Sequence, residues 1–220
     1  MTSLTIEVLL AARRIANLAQ ERGVLREAVH ARTICQHLGA VLADSVLQAG
    51  LSYRTVVRPR VQAILENHPH CDTISALAAL VQDGATGAFL NWRHHAKVNR
   101  FEEAVFFLQK WGVENVWDLR ACLVRSDFRA GMQSVSGIGP KTVDYMACLV
   151  GIESIAVDRH VRAFAEAVGV ERRDYHFLRA SFCCAADLLA LPRPTFDGWL
   201  WSRAAGPAHR QGRAPSRCRN

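Results

Sequence analysis

Apolar residues recur at steps of three and four along nearly the whole chain. Leu4, Val8, Ala11, Ile15 and Leu18 make one stripe. Val41, Leu42, Ser45, Val46 and Ala49 make a second, and Phe101, Val105, Phe106 and Leu108 a third. This is the helical period, not the alternation of a half-buried strand. Gly23, Gly50, Gly112 and Gly169 follow such stretches and read as C-terminal stops. Ser52 and Thr73 read as N-caps, and Pro59 as a residue near a helix start or at a kink. The pattern predicts an all-α protein of about ten short helices, without a solenoid period. Short helices bury their stripes only by packing into a compact array.

Composition sets bounds on this picture. The chain has 220 residues, half of them apolar, enough for one large domain or two small lobes. Mean hydropathy is +0.03, and no apolar run approaches the roughly 18–20 residues of a membrane-spanning helix. Met1 to Glu7 carries no basic leader, so a cytosolic chain is expected: cytoplasmic and nucleoid-associated in a prokaryote, nuclear in a eukaryote. The formal charge is +7, and Arg203, Arg210, Arg213, Arg217 and Arg219 supply five of those charges. No Asp or Glu accompanies them. Residues 206–220 lose the helical period and are expected to form a disordered basic tail, either merely solvated or in contact with a polyanion. The seven cysteines form no C-x-x-C, and Cys183 and Cys184 are adjacent. They read as reduced, mostly buried thiols rather than as disulfide or zinc ligands.

The segment with most chemical content is Val135-Ser136-Gly137-Ile138-Gly139-Pro140-Lys141-Thr142. A helix is expected from about Asp127 to Ser134 and a second from Pro140, which suits a first helical position because it has no N–H to satisfy. Two glycines between them permit a tight turn and leave amides uncovered. Amides at a helix start can hold a phosphate, and such a device grips DNA backbone without reading sequence. Ile138 would anchor the turn on its apolar side. The alternative is a plain turn whose glycines serve packing. Seventeen residues beyond Lys141 stands Asp158, in Ile155-Ala156-Val157-Asp158-Arg159-His160-Val161. Taken alone, a carboxylate at the start of that helical pattern is also what an N-cap requires.

Together the two segments resemble the helix-hairpin-helix/Gly-Pro-Asp superfamily of DNA glycosylases, known from endonuclease III and the 8-oxoguanine glycosylases. An earlier match is Leu42 to Ser52, which looks like the family helix whose Gln, here Gln48, enters the gap left by a flipped base. Ala96 to Leu108 resembles the helix two elements before the hairpin. The likeness spans about residues 38–168 and is strongest at 135–161.

The resemblance implies an all-α fold of two lobes with the active site in the cleft between them. Residues 1–37 with 152–205 would form one lobe. Residues 38–151 would form a helical barrel, carrying the hairpin at about 127–150. It implies Lys141 and Asp158 as the catalytic pair, and Gly137, Ile138, Gly139 and Gln48 at the DNA. The expected partner is double-stranded DNA holding a damaged, oxidised base or an abasic site, bound by a monomer. No membrane, metal or cofactor is expected. Iron–sulfur members carry four C-terminal cysteines, whereas only Cys183, Cys184 and Cys218 follow the hairpin here.

The chemistry accounts for these residue types. Breaking an N-glycosidic bond builds positive charge on the sugar, which a carboxylate stabilises. A lysine amine can attack C1′ and permit β-elimination, although a free lysine, with a pKa of about 10.4, is protonated at neutral pH. A monofunctional glycosylase using an Asp-assisted water, and a non-catalytic DNA-binding hairpin, are the competing readings. Other residues carry two readings each. Gln48 is either a wedge or an exposed helix end. Asp144 either pairs with Lys141 or is solvated, the second being favoured. Arg93, His94, His95 and Lys97 form a phosphate-binding patch or, preferably, a solvated face. His160 reads as a structural hydrogen-bonding residue. Trp199 and Trp201 either pack the last helix or stack on a base, and packing is favoured.

Overall fold

The computed structural model describes residues 3–26 and 34–204, whose regular structure is all helical, with no strand among them. The expected all-α class is therefore correct. Twelve α-helices and one π-helical turn lie among the described residues. The basic tail at 206–220 lies outside them.

The chain divides into two compact units, one within Met1–Ala31 and Val157–Asn220, the other within Arg32–Ala156. These borders lie a few residues outside the expected 37/38 and 151/152, and both connecting segments are tied to the central unit. Cys35 N donates to Leu149 O at 3.1 Å and Ile152 N to Ala147 O at 2.9 Å. Ser154 Oγ donates to Asp144 at 2.8 Å.

The terminal unit contains α1 (Ser3–Glu21), α10 (Arg159–Ala167), α11 (Tyr175–Leu188) and α12 (Arg193–Ala204). Helix α1 packs along α11, and α12 packs on both α10 and α11. The first apolar stripe is buried only from Ala11 onward. Leu4 is exposed, and the buried face is Ala11, Ala12, Ile15, Ala16 and Ala19, residues small enough for close approach to α11. Trp199 is fully buried, with Phe196 stacked on it at 6.0 Å and Phe164 edge-on at the same distance. Its role is the packing role.

The central unit holds α2 (Leu38–Leu47), the π turn Tyr53–Val57, α3 (Arg58–Asn67), α4 (Ile74–Gln82), α5 (Thr86–Phe89), α6 (His95–Lys110), α7 (Val116–Leu123), α8 (Ser126–Met132) and α9 (Pro140–Leu149). All ten residues of α2 are buried, and α3, α4, α6 and α9 pack around it. Its sequence, Leu-Gly-Ala-Val-Leu-Ala-Asp-Ser-Val-Leu, is apolar on every side, and such a helix finds a stable place only in a core. Its two polar side chains are satisfied inside. Ser45 Oγ donates to Val41 O at 2.7 Å, and Asp44 accepts from Tyr145 at 3.1 Å and Tyr53 at 3.4 Å. The second stripe therefore understates this burial, except that Ala49, past the helix end, is exposed. In the third stripe Phe106 points outward while Phe101, Val105 and Leu108 are buried.

The predicted punctuation is where the backbone turns. Gly23, Gly50, Gly112 and Gly169 all have left-handed φ, between +67° and +86°. Thr73 caps α4, Ser52 caps the π turn, and Pro59 lies in the first turn of α3.

Candidate active site

The site is built on α2, α6 and the turn joining α8 to α9. Helix α8 ends at Met132, two residues before the expected Ser134, and α9 begins at Pro140, as the sequence predicts. Inside the turn, Ser134 N donates to Gly131 O at 2.9 Å and Ile138 N to Val135 O at 3.0 Å. Ser136 N donates to Glu103 Oε2 at 3.3 Å, while Arg100 Nε donates to Ser136 O at 2.8 Å. Helix α6 thus clamps the turn through two side chains that the sequence did not single out.

The three residues expected at the turn play different parts. Ile138 is buried and its amide is already used, so it offers a ligand nothing. It anchors the turn in the core, which corrects its place among DNA-contacting residues. Gly137 has φ +77°, which favours glycine, and a Cβ there would fall 1.9 Å from the Arg100 guanidinium and displace that side chain. At Gly139 the case is reversed. Its φ of −97° suits any residue, and an added Cβ would meet nothing within 4 Å. Neither strain nor packing explains a glycine at 139. Among the described residues the amides of Gly137, Gly139 and Lys141 donate to no acceptor. They gather at the start of α9, a ten-residue helix whose dipole adds partial positive charge, with Arg100 alongside.

Lys141 is the second residue of α9 and is half-buried. Its Nζ donates to Gln48 Oε1 at 3.3 Å, so two residues singled out separately in the sequence, 93 positions apart, meet. Gln48 is the C-cap of α2, and its buried Nε2 has no hydrogen-bond partner. It is not an exposed helix end.

Lys97 holds the segment that carries Gln48. Its Nζ donates to Val46 O, Leu47 O and Ala49 O, each at 3.0 Å. The expected solvated face around residue 97 is therefore incorrect for this residue, although Arg93, His94 and His95 are exposed. Lys97 reaches inward because the last carbonyls of α2 have no helical partner and its ammonium satisfies three at once. Burial and neighbouring Arg100 lower its pKa from 10.5 to about 8. Replacing it with methionine is expected to reduce stability by about 1–2 kcal/mol at neutral pH, since buried carbonyls lose their donor. Between pH 8 and 10.5 the unfolded chain still binds this proton and the folded chain has released it. The wild type should therefore gain stability over Lys97→Met as pH rises across that window. The gain should disappear as pH falls through 8. Urea midpoints of the two proteins across this range measure both effects.

Asp144 differs from the favoured sequence reading of a solvated residue. It is 1% exposed, accepts from Ser154, and forms an ion pair with Arg129 of α8 at 2.5 Å. It is not solvated. Position 144 turns into the core, where the Arg129 guanidinium and the Ser154 hydroxyl stabilise the buried carboxylate.

Asp158 belongs to the terminal unit, where it is the N-cap of α10. Its Oδ1 accepts from His160 N at 2.8 Å and Val161 N at 3.0 Å. Its Oδ2 accepts from no group among the described residues. Capping fixes the carboxylate and leaves one oxygen available. His160 accepts a hydrogen bond from Arg159 Nε at 3.3 Å, in keeping with a structural role.

Compared with protein-family models and with curated proteins, the chain matches none. No described helix is long and apolar enough to cross a membrane.

Proposed function

We propose that this chain is a DNA N-glycosylase with an associated abasic-site lyase step, built on the two-lobed helix-hairpin-helix/Gly-Pro-Asp plan. The observation that carries the reading is the α8–α9 turn. It presents three unpaired amides at a helix start, followed by the Lys141 side chain, and the missing Cβ at Gly139 leaves the approach to those amides open. Such a turn takes a DNA phosphate on its amides and on Arg100. That contact fixes the register of the strand and leaves base choice to the pocket around a flipped nucleotide.

In the proposed reaction Lys141 first gives up one ammonium proton to solvent, and its amine then attacks C1′. A C–N bond forms, the N-glycosidic bond breaks, and the base leaves with the electron pair and takes up a proton. The sugar ring opens to a Schiff base. Loss of a C2′ proton then expels the 3′ phosphate, and water releases the sugar fragment and restores the lysine. The resemblance assigns Asp158 to stabilising positive charge on the sugar, and its uncommitted Oδ2 suits that role. Gln48 has two parts to play. It holds the amine in the free protein, and its unpartnered Nε2 is a donor for DNA. As Gln48 moves to the gap in the duplex, Lys141 is released for attack.

The test uses duplexes carrying 8-oxoguanine, thymine glycol, uracil or an abasic site at one position. The expected result is strand cleavage at one lesion class and at the abasic site, without alkali treatment. Base release that gives breaks only after alkali would mean that water, not Lys141, is the nucleophile. Binding without release from any duplex would sink the enzymatic reading.

A further inference from the structure

The turn between α3 and α4 reads His68-Pro69-His70-Cys71-Asp72. Its backbone is held from three directions. Cys71 N donates to His68 O at 3.0 Å, and Gly39 N of α2 donates to Cys71 O at 3.2 Å. The approach at Gly39 is so close that a Cβ there would lie 2.6 Å from Cys71 O. His37 completes the set. Its Nδ1 accepts from Ala40 N at 3.1 Å, which leaves the proton on Nε2, and Nε2 lies 2.8 Å from His68 O. Both nitrogens of His37 are therefore committed.

The neighbouring side chains are not. Among the described residues the rings of His68 and His70 and the thiol of Cys71 make no hydrogen bond. The His68 ring lies beside those of Phe89, at 5.1 Å, and His70, at 6.2 Å between centroids. Each of the three residues offers one ligand atom, and all three atoms lie within 4.8 Å of one another.

We infer that His68, His70 and Cys71 bind a zinc-class transition-metal ion. Two imidazole nitrogens and a thiolate suit zinc and cobalt, whereas magnesium and calcium require oxygen ligands. Zinc–nitrogen distances of about 2.0–2.1 Å and zinc–sulfur of about 2.3 Å put tetrahedral ligand atoms roughly 3.4–3.6 Å apart. A shift of little more than ~1 Å closes the set on that geometry. His70 can supply it, because its ring is exposed and turns about two side-chain torsions with the backbone pinned. Cys71 is 2% exposed, and burial together with Asp72 pushes its thiol up, so binding the ion displaces one thiol proton to solvent. Water takes the fourth position on the exposed side.

The ion would act as a structural clamp, not in base excision. The turn lies against the first residues of α2, and Gln48 is at that helix's other end, about 15 Å away along a ten-residue helix. Binding would lock the α3–α4 turn onto the start of the central helix and leave the chemistry at Lys141 unchanged.

The test is a cobalt titration of the full-length, chelator-treated chain, followed in the near ultraviolet. The expected result is a thiolate-to-cobalt charge-transfer band that saturates at one ion per chain. Zinc should displace it and magnesium should not. Excess zinc should also raise the Tm. His70→Ala removes an exposed ring and leaves the core intact, and it should abolish both responses. A titration without a thiolate band, or a band that survives in His70→Ala, overturns the inference. The other cysteines would then be the source of any binding.

Discussion

Lys141→Ala is expected to eliminate every borohydride-stable adduct with DNA and to slow base release by on the order of a hundredfold or more. That is the scale at which one positioned group contributes to a transition state. The variant should fold normally. Lys141 is half-buried at the first turn of α9, and its one polar contact among the described residues is with Gln48. Its loss should change stability by no more than about 0.5 kcal/mol. Binding to lesion-containing duplex should persist, because the amides of Gly137 and Gly139 and the Arg100 guanidinium are untouched. Gel-shift affinity, circular dichroism and a single-turnover cleavage assay separate these three quantities. If the variant released base at the wild-type rate, the lysine would have no covalent role.

Asp144→Ala should destabilise the central unit by about 3 kcal/mol. The change leaves the Arg129 guanidinium, only 20% exposed, without its counter-ion, and strips Ser154 Oγ of its acceptor. Breaking a buried pair from one side costs about 3–5 kcal/mol. Arg129 keeps some access to water, so the lower end applies. For a chain of this size a loss of about 3 kcal/mol corresponds to a Tm roughly 6–12 °C lower. Asp144→Asn keeps an acceptor for Ser154 and should lose less. The effect on folding also reaches the candidate site, because Asp144 ties α9, which carries Lys141, to α8 through Arg129 and to the chain after α9 through Ser154. Thermal melts of both variants give the comparison directly. A melt indistinguishable from wild type would mean that this pair does not hold the two helices.

Helices and their ends were legible in the sequence because they depend on local rules. Glycine stops, the Thr73 cap and Pro140 at a helix start act over a few residues, and each is where the pattern put it. Orientation was harder to read. Phe106 fits the period of its helix and yet faces solvent, while Asp144 breaks the apolar pattern and yet lies in the core. Both outcomes depend on what packs opposite, which periodicity does not contain. The same limit hid Lys97. It stands among His94, His95 and Arg93 in sequence, but its partners are carbonyls about 50 residues earlier. His68, His70 and Cys71 were not legible as a set because His-Pro-His-Cys fits no common ligand spacing. The meeting of Gln48 and Lys141 was legible only in part. Each was visible alone, and the 93-residue separation gave no sign that they touch.

The central claim is that the Lys141 amine becomes covalently bound to the sugar, and the most direct measurement identifies the bound residue. Wild-type protein is incubated with lesion-bearing and abasic duplexes, the imine is reduced with borohydride, and the adduct is digested and mapped by mass spectrometry. The account predicts a single modified peptide carrying the sugar fragment on Lys141. Attachment to another residue, or duplexes that are bound and never trapped, would contradict it.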